Sequence, residues 1–297
     1  MNELFAIYKR NFPFCVRDDS LVLELLSDDS IHVIPARDPD GKLIGVSVIE
    51  ENNILMLCVD AARRGRGIGT GLLEASEKHI REQGFTSVTV GAGKHYLMPG
   101  IPVASPVWPE TLQPDAVYDG LDSDSAAFFR NHGYTHSWDC NCFDMRLDLE
   151  EYHAAPLETP GITYRWALPE DMEKAAACTD NAYESFTKYY RNPELYTGRG
   201  KQRVFIAECS DQVVGTLIVS FSAEAPGLGS VGCTAVHNDY RGRKIATNLV
   251  ILGTGMLKEA GLDKAFLGYT YSGLDKLYGT AGYRICVYYF MAEKKLV

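Results

Sequence analysis

The chain has 297 residues, 46% of them apolar, with a formal net charge of −10, which accommodates two ordinary domains and argues against a nucleic-acid surface. No apolar run approaches the roughly 18 residues of a membrane span and the start carries no signal-peptide pattern, so a cytoplasmic protein is expected. Eight cysteines lie scattered without a Cys-x-x-Cys or a His pair at metal spacing, so no metal site is expected and the thiols read as small buried residues.

In chain order, residues 2–27 carry two short helical patterns, the second announced by Asp18-Asp19-Ser20. Strands follow at 31–36 and 43–50, joined through the turn signal Asp38-Pro39-Asp40-Gly41-Lys42. An apolar strand over 54–59 runs into a helix with Ile68, Leu72, Ala75 and Ile80 on one side, then a strand at 87–90. A helix near 123–131 leads to a long closing strand, about 134–147. Residues 148–161, acidic and then proline-bearing, read as a linker. The second half gives a strand at 162–167, a helix after Pro169-Glu170-Asp171, and strands at 203–209, 212–220 and 230–236. A helix over 244–260, a strand at 264–267, a helix near 273–281 and a strand at 283–292 complete it.

The chemistry concentrates where the 54–59 strand passes through Asp60-Ala61-Ala62-Arg63-Arg64-Gly65-Arg66-Gly67 into Ile68-Gly69-Thr70. A strand entering a helix through a Gly-Arg turn leaves amides free at the helix N-terminus, where the dipole favours an anion. The Walker and dinucleotide patterns both fail, because no Lys follows the glycines and the third glycine of Gly-x-Gly-x-x-Gly is missing. The stretch also occurs twice. Val236, Arg241, Gly242, Arg243, Lys244, Ile245, Ala246 and Thr247 align with Val59, Arg64, Gly65, Arg66, Gly67, Ile68, Gly69 and Thr70. Gly84 matches Gly261, and Phe128-Phe129 through Gly133-Tyr134 matches Leu277-Tyr278 through Gly282-Tyr283. A repeat of this length means two domains of one fold.

The pattern Arg-x-x-Gly-x-Gly, filled by Arg64, Gly67 and Gly69, resembles the coenzyme A pyrophosphate loop of the GNAT superfamily of acetyl-CoA-dependent N-acetyltransferases. The resemblance implies an α/β chain of two tandem GNAT-like acyl-CoA N-acyltransferase domains, each a mixed, mostly antiparallel sheet flanked by helices. The domains are 1–147, with an insertion at about 91–122, and 162–297. Compared with a complete family member, the first half lacks the first strand. The resemblance implies acetyl-CoA as cofactor, held by Cys58, Val59, Arg64, Gly65, Arg66, Gly67, Ile68, Gly69 and Thr70, and by the matching residues of the second half. It also implies that a backbone N–H near Val59 or Val236 receives the thioester oxygen.

Acyl transfer to an amine needs a neutral nucleophile, a stabilised oxyanion and a proton for the leaving thiolate. An alkylamine is only roughly 0.04% neutral at pH 7, so a base or a carboxylate-lined pocket is required. Glu50, with its neighbour Glu51, and Glu224 are the candidates, each at the strand end before a cofactor strand. In the family the thiolate's proton commonly comes from a tyrosine four residues before the closing Gly-aromatic pair. Tyr278 fills that place, and Phe129 fills it in the first half. Lys244 stands where Gly67 does, so the first half has the better cradle and is expected to bind acetyl-CoA, while the second has the better acid. The insertion, with His95, Tyr96 and Asp119, reads as a substrate lid. The expected activity is acetylation of a small-molecule primary amine such as an amino sugar, polyamine or aminoglycoside-like compound. The alternatives are protein-lysine acetylation and a non-catalytic acyl-CoA-binding regulator.

Overall fold

Residues Leu43–Glu50 are buried at every position, as in a strand covered on both faces. Around such strands the computed structural model builds two mixed sheets flanked by helices, the α/β architecture that the sequence implied. It describes residues 3–13, 17–91, 97, 101–107, 124–137, 142–192, 201–222, 226–271 and 273–296.

One compact unit gathers Met1–Ser105, Ala116–Cys142 and Val287–Val297. Its strands are β1 (His32–Arg37), β2 (Leu43–Glu50), β3 (Asn53–Val59), β4 (Ser87–Val90), β6 (Thr135–His136) and β14 (Ala292–Lys295). They lie in the order β1-β2-β3-β4-β14-β6. Helices α1 (Glu3–Asn11) and α2 (Asp19–Leu25) bury Phe5, Ile7, Tyr8 and Val22 against β2 and β3. Helices α3 (Ile68–Glu82) and α4 (Asp124–Asn131) bury Leu73, Ile80, Ala126 and Phe129 in a second cluster.

The other unit gathers Pro106–Asp115 and Phe143–Cys286. The second sheet comprises β5 (Ile101–Val107), β7 (Cys142–Asp148), β8 (Thr163–Trp166), β9 (Gln202–Cys209) and β10 (Gln212–Ser220), with β11 (Leu228–Val236), β12 (Lys264–Tyr271) and β13 (Arg284–Phe290). Their order is β5-β13-β7-β12-β11-β10-β9-β8. The helices are α5 (Met172–Tyr183), α6 (Thr187–Tyr190), α7 (Ile245–Glu259) and α8 (Asp275–Gly279). Edge strand β8 has no counterpart preceding β1 among the described residues of the first half.

The closing strands expected at 134–147 and 283–292 are each divided in two. β6 stays in the first sheet while β7 lies in the second, between β12 and β13. Conversely β14, the final strand, lies in the first sheet between β4 and β6. The second sheet therefore contains β5 and β7 from before the 148–161 segment, and the first contains β14 from after it.

The repeat reappears as contacts. The Tyr134 hydroxyl donates to Glu77 at 3.1 Å, and the Tyr283 hydroxyl meets Thr254 at 3.2 Å, with both partners at matched helix positions. In each sheet a glycine also faces the last residue of the cofactor strand: Gly45 opposite Val59 and Gly215 opposite Val236. A Cβ on Gly45 would stand 3.1 Å from Leu72 Cδ1. On Gly215 it would stand 2.8 Å from Ile245 Cγ2 and 3.0 Å from Leu249 Cδ1. The missing side chains let α3 and α7 settle onto the sheet with their first turns beside the strand ends. Gly215→Ala is therefore expected to destabilise the protein by about 1–3 kcal/mol through overpacking, read as a lowered midpoint of denaturant unfolding.

Candidate active site

The two strand-to-helix turns match bond for bond. Asp60 N donates to Ile44 O at 2.8 Å, and His237 N to Val214 O at 3.0 Å. A short 3₁₀ turn follows each, over Ala61–Arg63 and Asn238–Tyr240. Arg64 and Arg241 are extended, and Gly65 (φ 71°) and Gly242 (φ 77°) are left-handed. The helix caps are left-handed too: Gly67 at φ 77° and Lys244 at φ 62°. The first amides bonded back to the caps are Gly71 N to Gly67 O and Asn248 N to Lys244 O. Amides 68–70 and 245–247 thus precede the helical ladder and supply an anion cradle at the positive end of a helix dipole.

Lys244 does not change the turn; it adopts the conformation that Gly67 adopts. A left-handed non-glycine residue costs about 1–2 kcal/mol. What the position gains is an exposed ammonium beside Arg241 and Arg243, with Arg243 lying 4.9 Å over the Tyr240 ring.

The surroundings of the two cradles differ. In the first half Arg64 Nε donates to the Val59 carbonyl at 2.9 Å, so the guanidinium folds back onto the strand end. Phe128 lies against the helix start, its ring 3.5 Å from where a Gly69 Cβ would be. His132 Nδ1 donates to Phe128 O at 2.7 Å, which leaves Nε2 to accept from the Thr70 hydroxyl at 3.2 Å. Phe129 is buried. Cys58 is buried behind the turn, and burial pushes its thiol up to about 12.

In the second half a cavity of about 530 Å³ opens along the cradle. Thr234, Ala235 and Val236 form one wall, with Arg241, Gly242, Lys244, Ile245, Ala246 and Thr247 at one end. Ala182, Tyr183 and Phe186 face it from α5 and the turn after it, and Tyr271, Leu274, Leu277 and Tyr278 close it. β11 and β12 pair only at Leu228–Lys264 and Gly229–Ala265, so the later part of β11 is an open edge. Tyr278 is 5% exposed, and burial pushes its phenol up to about 12, with the nearby Thr234 hydroxyl pulling the other way. The group stays protonated throughout the neutral range.

The structure thus brings Val236, the 241–247 turn and Tyr278 to one cavity. Glu50 is buried and pairs with Asn53, at the opposite end of β3 from Val59 and about 20 Å away by strand rise. Glu51 is left-handed at φ 53° in the hairpin turn. Glu224, His95, Tyr96 and Asp119 lie outside the described residues. Sequence reasoning missed Thr234, Tyr271, Tyr183 and Phe186. Only the density of aromatics over 183–190 hinted at the last two.

A sequence model described as the acetyltransferase (GNAT) family matches residues 1–98 and 165–282. No curated protein matches significantly in sequence. Among solved structures, a region described as a GCN5-related glucosamine N-acetyltransferase in a fungal multi-domain GH3 β-N-acetylglucosaminidase aligns with 99% of this chain. The TM-score is 0.74 at 19% identity, and the match covers 36% of the fungal chain, so this protein spans about a third of that length. A GCN5-related N-acetyltransferase from Sphaerobacter thermophilus aligns over 99% of this chain and 91% of its own, with TM-score 0.67 and 19% identity. A tandem GNAT protein from the clavulanic acid biosynthesis pathway aligns over 99% and 94%, with TM-score 0.64 and 14% identity.

Lys244→Gly and Gly67→Lys are expected to shift stability in opposite directions, up and down respectively, each by about 1 kcal/mol. Thermal unfolding of the two variants checks the sign.

Proposed function

Since the chain belongs to the acetyltransferase (GNAT) family, we propose that it moves the acetyl group of acetyl-CoA to the primary amine of a small molecule, and that the second half is the catalytic one. The observation carrying this is the single cavity that joins the 245–247 amides, the open edge of β11 and the buried phenol of Tyr278. Acetyl-CoA supplies the acyl group as an activated thioester. The amides of Ile245, Ala246 and Thr247, with Lys244, Arg241 and Arg243, would hold its pyrophosphate, as the positive cradle and its free donors fit. The open β11 edge offers main-chain groups to the pantetheine arm and, near Val236, to the thioester oxygen. Tyr278 retains its proton at neutral pH and gives it to the departing thiolate.

The residues described along the cavity include no carboxylate and no histidine. An amino sugar, carrying one amine on a largely neutral ring, is the acceptor class we favour. The fungal region of the same fold is described as a glucosamine N-acetyltransferase, which supports the same reading. Glu224, in the connection between β10 and β11, is the carboxylate we propose for accepting the ammonium proton. His95, Tyr96 and Asp119 of the insertion are proposed on the acceptor side. No helix among the described residues is long and apolar enough to cross a membrane, and we propose a cytoplasmic setting from the cysteine usage.

A second reading applies to the first half, which the sequence expected to bind the cofactor. Its Arg64 is engaged with Val59 O, Phe128 covers the helix start, and Phe129 holds the acid position. We propose that this half does not turn over.

Thiol release from acetyl-CoA with glucosamine as acceptor tests both readings. Tyr278→Phe is expected to lower kcat by about 10²-fold while calorimetric affinity for coenzyme A is unchanged. Lys244→Glu is expected to abolish turnover, and Gly67→Glu to leave the rate per folded molecule within about two-fold. Loss of rate from Gly67→Glu alone would move the chemistry to the first half. With Tyr278 titrating near 12, its proton is retained below that pH, so kcat should show no alkaline fall between pH 7 and about 10.

A further inference from the structure

We infer that Tyr190 is a positioning residue for this cavity: its phenol pins a bulge in β11 that sets Thr234 and the strand end against Tyr278. The inference rests on the second half being catalytic. Cys233 lies inside β11 with φ 50°, a left-handed conformation taken by a non-glycine residue one place after Gly232. The β10–β11 register breaks at the same place. Thr216 faces Ala235 and Ile218 faces Gly232, so Leu217 opposes both Cys233 and Thr234, which is a β-bulge. A side-chain-bearing residue persists in this conformation only where its surroundings over-determine it.

The surroundings supply one specific restraint. The Tyr190 hydroxyl donates to the Cys233 carbonyl at 2.6 Å, and the Tyr190 side chain is fully buried. Tyr190 ends α6, and Thr187 at the other end of that helix donates to Asp180 of α5 at 2.5 Å. The phenol is therefore fixed from its own side. Directly after the pinned carbonyl come Thr234, Ala235 and Val236, which line the cavity. The Thr234 hydroxyl is buried and neighbours the Tyr278 phenol.

The first half supplies an internal control. There the β2–β3 register breaks at Leu55, nearer the start of the strand, and no residue of β3 has positive φ. The position matching Tyr278 is Phe129. The left-handed bulge and the phenolic acid occur together in one half and are absent together from the other. That pairing is what a bulge serving the acid would produce.

The test uses the full chain and the variants Tyr190→Phe, Cys233→Gly and the double variant. Tyr190→Phe keeps the ring but loses the donor, so kcat is expected to fall about ten-fold while KM for acetyl-CoA stays within about three-fold. Glycine adopts positive φ without strain, so Cys233→Gly should act like wild type. In the double variant it should restore kcat to within about three-fold. Because Tyr190→Phe keeps the ring, a role in packing alone would leave kcat and exchange unchanged. Amide hydrogen exchange over residues 230–236 reads the bulge without turnover. It should quicken about ten-fold in Tyr190→Phe and return toward wild type in the double variant. Unchanged exchange in Tyr190→Phe, or an unrescued double variant, overturns the inference. Wild-type inactivity toward amines with this exchange pattern intact would instead overturn the catalytic reading alone.

Discussion

The architecture depends on bringing the start of a helix to the end of a strand with unbonded amides facing outward. Two local devices accomplish this in each half. Two left-handed residues reverse the chain within the turn, and a glycine on the neighbouring strand removes the Cβ that would hold the helix away. Gly45 and Gly215 serve the second purpose against the equivalent leucines Leu72 and Leu249. Both devices aim the helix dipole into the open seam between the parallel strands.

Given that shared frame, the halves diverge through side chains and strand detail. In the first, the guanidinium of Arg64 satisfies the strand-end carbonyl and aromatic rings crowd the first helical turn. In the second, Arg241 instead reaches the Ala182 carbonyl at 3.0 Å, and the strand end is left to line a cavity. Lys244 tolerates a strained backbone and adds charge where an anion would sit. Tyr278 shows the complementary use of burial: the low-dielectric setting that makes a phenolate costly keeps the phenol protonated.

Much of this was legible in the amino-acid order. The duplicated Arg-Gly-Arg turn and the helices behind it follow from local spacing, which is where sequence signals are strongest, whereas Tyr278 was singled out by the family resemblance. The strand exchange was not legible. The apolar pattern of 142–148 says that the strand is buried but not which sheet receives it. The β11 bulge was missed, although Gly232 inside the strand, one place before the left-handed Cys233, is the kind of residue that marks one. Lys244 was read as weakening the second cradle, and the backbone there takes the same left-handed conformation as Gly67. Glu50 was chosen by its place before the cofactor strand, yet a hairpin carries it to the far end of that strand.

The traded closing strands bear on how such a chain can evolve. Neither sequence half can be deleted alone, because residues 142–148 form an interior rib of the second sheet and residues 292–295 lie inside the first. Selection acting on either sheet therefore acts on strands encoded in both halves.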